Sequence, residues 1–175
     1  MKKTTLLLIL TLMASVFSFN HVLASEPKGS VEKSVPGAWV IRSNKKYDLV
    51  EGSNICEFDI VKTDESGYVS IRFIDDSLME IRGNTEVDIK EVAFSDSKNR
   101  FNVGLVQGAS RIITGTIVKA NPKGFKVTTP KSIIGIRGTT LRVSVTKSGE
   151  EKVFVEKMSK KHKVDVSYRD SKETV

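Results

Sequence analysis

The chain has 175 residues, 28 of them lysine or arginine and 21 aspartate or glutamate, for a formal net charge of +7. It has a single cysteine and only two histidines, which excludes an internal disulfide framework and leaves little for zinc sites that need three or four His, Cys or carboxylate ligands. Its basicity is mild and scattered, so nucleic acid is not an expected partner; anionic envelope polymers or lipid headgroups are only weakly suggested by charge balance.

Lys2 and Lys3 precede a 14-residue apolar stretch from Leu6 to Phe19, and Val22-Leu23-Ala24 then places small residues before Ser25. This is the pattern of a secretory signal peptide over 1–24, cleaved between Ala24 and Ser25. An uncleaved anchor is the alternative, but a spanning helix needs about 20 apolar residues. Removing Lys2 and Lys3 takes the charge from +7 to +5. Residues 25–36, with two prolines, read as a polar leader.

From Gly37 the apolar residues alternate. Cys56, Phe58 and Ile60 are expected on one strand face, with Cys56 a small buried hydrophobe. Val69, Ile71 and Phe73 alternate with polar neighbours, as do Val87 and Ile89, then Phe101, Val103 and Leu105. Later runs place Leu141, Val143 and Val145, then Val153 and Val155, then Val164, Val166 and Tyr168 on one face each. A period of two means strands with one side on a core. Turn clusters punctuate them, among them Asp64 to Gly67, Asp75-Asp76-Ser77 and Asn121 to Gly124. The segments "RIITGTIV" and "SIIGIRG" are apolar nearly throughout and are expected to be covered on both faces. The fold class is therefore all-β: stacked antiparallel sheets, sandwich-like or short β-solenoid-like. The domain is expected over 37–168, with a flexible tail at 169–175.

Candidate chemistry is sparse. His21 lies in the signal segment and His162 among lysines, so a His-based triad has no evident partner. Asp75 and Asp76 are adjacent and would point to opposite sides of a strand; a turn that bonds local backbone is preferred. Glu150-Glu151 reads the same way. No phosphate loop or dinucleotide fingerprint occurs, and no cofactor or metal is expected. "KMSKKHKV" reads as a solvated connection between two strands, with an electrostatic dock for an anionic surface as the rival; clustered lysines also protect sheet edges. Within "KSIIGIRGTTLRVSV", Gly138 can take backbone angles closed to other residues. Thr139 can bond nearby backbone, and Arg137 can satisfy several carbonyl oxygens or clamp an anion.

The segment "FKVTTPKSIIGIRGTTLRVSV", with Thr129-Pro130, the apolar run Ile133 to Ile136, Arg137-Gly138-Thr139 and the strand Leu141 to Val145, resembles the signature of the FecR domain family. The order of strands and turns upstream, from Gly37 on, is also similar. The resemblance implies an all-β envelope domain. Its best-known relatives are inner-membrane regulators that relay a signal from an outer-membrane receptor to a cytoplasmic sigma factor. This chain carries a signal-peptide pattern where those carry a cytoplasmic segment and a membrane helix. It is therefore expected to be a periplasmic, stand-alone, non-enzymatic module, without a membrane span after signal removal. The expected partner is an envelope protein, engaged through an exposed sheet edge, in envelope signalling. The alternative is a cell-wall or polysaccharide binder in which Trp39 and Tyr47 stack on sugars.

Overall fold

The computed structural model describes residues 26–95 and 98–168, apart from the side chains of 158–162. The signal segment with its Ala24–Ser25 junction and the 169–175 tail lie outside the described residues. Strands take up 64% of the chain and helix 3%, which makes the fold all-β. In chain order the strands are β1 (Gly29–Val35), β2 (Ala38–Arg42), β3 (Lys45–Asp48), β4 (Asn54–Ile55), β5 (Ile60–Thr63), β6 (Tyr68–Phe73), β7 (Leu78–Ile81), β8 (Glu86–Phe94), β9 (Asn99–Ile113), β10 (Phe125–Thr128), β11 (Ser132–Val145) and β12 (Glu151–Tyr168). A helical turn, α1 (Ile117–Ala120), follows β9.

All twelve strands share one curled sheet, and β9 is its hub. The first half of β9 lies between β8 and β10, with Phe125 to Thr128 running parallel to Phe101 to Gly104. Its second half lies between β7 and β11. The change of partners falls at Gly108, whose φ is +96°; a Cβ there would sit 2.2 Å from the Thr85 hydroxyl, so the bend needs glycine on both counts. β11 makes the same passage. Ile133 to Gly135 pair with β10, Thr140 to Val145 pair with β9, and Gly138, at φ +70°, lies between. The sheet thus has two halves: β3-β2-β5-β8 lead to the start of β9, and β4-β1-β6-β7 lead to its end.

The halves face each other across one core, in which Val31, Ile71 and Ile112 join Val61, Val87 and Val103. Phe73 of β6 meets Phe101 of β9 edge-on at 4.8 Å, and Phe101 stacks on Phe125 of β10 at 4.1 Å. An edge-on pair such as Phe73–Phe101 adds about 0.5–1.5 kcal/mol beyond the area buried. The alternating residues of β6, β8, β9 and the second half of β11 point inward as their period dictates.

Several expectations are corrected. Residues Gly29–Val35 of the supposed leader form β1, which pairs along β6 and buries Val31; its apolar signal is carried by only two valines, Val31 and Val35, and is masked by intervening charge. Cys56 is buried, but Phe58 is 80% exposed at φ +67°, because the chain turns after β4 instead of continuing as a strand. "RIITGTIV" and "SIIGIRG" are covered on one face: Ile112, Ile134 and Ile136 are buried, while Ile113 is half-buried and Ile133 exposed. "KMSKKHKV" is not a connection but the middle of β12. Val166 and Tyr168, at its end, are exposed and not on the core. Asp75, by contrast, sits in the expected turn, its carboxylate accepting from the Ser77 amide at 3.1 Å and the Ser77 hydroxyl at 2.6 Å.

Candidate functional site

The Arg137-Gly138-Thr139 triplet lies at the corner where β11 leaves one half of the sheet for the other. β12 follows it round, and opposite Gly138 it carries four residues, 159–162, between the pairs Thr139–Met158 and Arg137–Lys163. A backbone bend of this kind interrupts the ladder and leaves polar groups that must be paired when buried. Thr139 does much of the pairing. Its amide donates to the Thr114 hydroxyl at 3.1 Å, its carbonyl accepts from the Thr114 amide at 3.3 Å, and its hydroxyl donates to the Lys157 carbonyl. The Thr114 segment is tied in turn to the Asp75 turn. The Gly115 amide donates to the Ser77 hydroxyl at 2.9 Å, and Thr116 donates to the Asp75 carbonyl from both amide (2.7 Å) and hydroxyl (2.9 Å). The Arg137 guanidinium is one-third exposed and lies 3.8 Å from the Asp165 carboxylate of β12.

Thr129 and Pro130 shape the hairpin between β10 and β11. The Thr129 amide donates to the Ser132 carbonyl at 2.9 Å, and the Ser132 amide donates to the Thr129 hydroxyl oxygen at 2.9 Å. The Glu151 carboxylate, from the start of β12, closes the loop by accepting from the Thr129 hydroxyl and the Lys131 amide, both at 2.8 Å. Burial works to raise the Glu151 carboxyl, but the Ser132 and Thr129 hydroxyls and the Lys131 amide outweigh it and hold the pKa below the usual glutamate value. Sequence alone assigned Glu151 to a turn. Its role as a clamp on a loop 20 residues away carries no local signal.

A second polar assembly was also invisible in the sequence. Arg42 of β2 grips the fully buried Asp59 through two bonds, Nε at 2.7 Å and an Nη at 2.6 Å, and the Cys56 amide adds a third at 2.7 Å. On the outer face, Arg111 of β9 bonds Glu156 of β12 at 2.8 Å and Glu80 of β7 at 3.3 Å, and Arg142 of β11 also contacts Glu156. These arginines hold the Glu156 carboxyl below its ordinary pKa. Among the described residues, no group of three or more His, Cys, Asp and Glu is placed to hold a metal ion. No helix there is long and apolar enough to cross a membrane.

The feature best suited to meeting another molecule is β12. It spans 18 residues and pairs with β11 on one side; among the described residues no strand pairs with its other side. Phe154 stands 63% exposed on it, beside Lys152 and Lys157. Trp39 and Tyr47 are less suited to stacking on sugars. The Lys46 ammonium lies 4.3 Å above the centre of the Trp39 ring, and Tyr47 stands half exposed on the separate edge strand β3.

No curated protein and no solved structure matches the chain. A family model described as FecR protein matches residues 59–157, the span from Asp59 through β12 as far as Lys157.

Proposed function

From the premise that the chain belongs to the FecR protein family, which is known for envelope signalling regulators and is not an enzyme family, we propose that it is an exported, non-enzymatic scaffold. In this reading it works in the periplasm and takes part in envelope signalling by engaging a partner protein. The contact is strand addition along the free side of β12. The observation that carries this reading is the length of that edge: 18 residues of strand with one neighbouring strand among the described residues. Open edges offer rows of unpaired N–H and C=O groups and are ordinarily blunted or covered. Recognition by an added strand takes affinity from main-chain bonds and specificity from alternate side chains. The family motif is then architectural: Arg137, Gly138 and Thr139 hold the corner that sets the course of β12, and Thr129 and Pro130 shape the hairpin to which Glu151 fastens its start.

Position-specific photo-crosslinking in intact cells tests this. A photoreactive phenylalanine analogue replaces Phe154 on β12 or, as a control, the more exposed Phe58 on the β4–β5 turn. A discrete adduct from position 154 and none from 58 is expected. Equal labelling from both positions, or adducts to cell-wall glycan in place of protein, would overturn the reading.

A further inference from the structure

Beside the β12 edge, the outer face of the sheet carries a groove of about 470 Å³ lined by Arg82, Ala109, Arg111, Arg142, Lys152 and Phe154, among others. Strand register explains its shape. One row runs Glu80–Arg111–Arg142–Phe154 across β7, β9, β11 and β12. The next row has Ala109 opposite Ser144 and Ser144 opposite Lys152, with the Arg82 amide bonded to the Ala109 carbonyl just beyond β7. The small residues Ala109 and Ser144 form the floor, and long cationic side chains form the walls. The acids of this face, Glu80 and Glu156, are already engaged by Arg111 and Arg142. Lys152 meets Glu150 at 3.2 Å on a largely exposed stem.

Resting on the reading of β12 as an open edge, we propose that the strand it receives is acidic. In our proposal a partner segment alternates an apolar residue against Phe154 with a carboxylate two positions away against Lys152, reaching over Ser144 toward Arg142. An added strand lies about 4.8 Å from β12, and its side chains extend the existing rows by one place. Arginine forks recognise carboxylates in paired geometry, so the groove discriminates by charge and by shape. A second copy of this chain is a poor occupant. Its β12 would bring a second Lys152 and Lys157 to an edge that already carries both, exposed, and like charges directly opposite are destabilising.

The test uses the full chain, purified as cells process it, and fluorescein-labelled nonapeptides in which every second residue is alternately glutamate and valine, or alternately lysine and valine, with serine between, so that charged and apolar groups fall on one face of the strand. Fluorescence anisotropy is expected to give at least tenfold tighter binding of the glutamate peptide, a preference that weakens as salt is raised. Arg82→Glu and Lys152→Glu, both at exposed positions, are expected to remove that preference, and Lys152→Gln to reduce it. Backbone N-methylation of the peptide is expected to abolish binding. Equal affinity for the two peptides, with N-methylation still abolishing binding, would overturn the acidic specificity and leave the open edge intact. Glutamate-peptide binding that survives N-methylation would overturn the edge reading itself. Saturable binding of polygalacturonate with none of either peptide would overturn the proposal in favour of a glycan.

Discussion

Gly138 has a φ of +70°, a region that L side chains enter at a cost of about 1–3 kcal/mol. Gly138→Ala should therefore destabilise the protein by that amount, read as a lower urea midpoint. A second residue sets a pH dependence. Glu151 has a folded pKa below its unfolded value, about 4.3. Its contribution is fully present above the unfolded pKa and lost as pH falls through the lower folded one. Thermal melts of the parent and Glu151→Gln should differ at neutral pH and converge at pH values below the acidic window. The need for glycine at 138 was legible in the sequence, because a glycine inside an apolar alternating run weakens the strand and so marks a bend or a close approach of backbone. Glu151, Thr114 and the Arg42–Asp59 grip were not. Each joins residues 17 to 25 positions apart, and a polar residue in a turn-like context looks the same whether it faces water or reaches across.

At the scale of elements, the strands with three or more alternating apolar residues were recoverable, and those at the margins were not. β1 was hidden because Glu32 and Lys33 interrupt its valines and prolines bracket it, although β6 pairs with it over most of its length. Deleting residues 26–35 should expose the buried Ile71 and Phe73 side of β6 and leave its edge open. Earlier melting and dye-binding hydrophobic surface are expected, with higher-order species in size-exclusion chromatography. β12 was broken in two by its lysine run. Lysines depress strand propensity only weakly, and on an outer strand they are a common device against unwanted pairing, so a charged interval and a strand edge give the same sequence pattern.

For the molecule as a whole, the class was legible from periodicity, whereas the order of strands was not: alternation gives each strand an inside but not a neighbour. The parallel β9–β10 pair and the shared use of β9 depend on where the chain crosses, which no local pattern specifies. The aromatic trio Phe73, Phe101 and Phe125 spans both halves. Phe101→Ala should cost about 3–5 kcal/mol, and the two halves should still melt in one transition, monitored together by far-ultraviolet circular dichroism and by a fluorophore placed on β3. Two separate transitions would mean that the halves are independent.

With β9 seated between neighbours along both of its halves, its amides should be the slowest in the protein to take up deuterium. On the export route proposed above, a chain threaded from its N-terminus would hold eight strands without their central neighbour until residue 113 had passed, so topology would defer its folding until most of it had crossed.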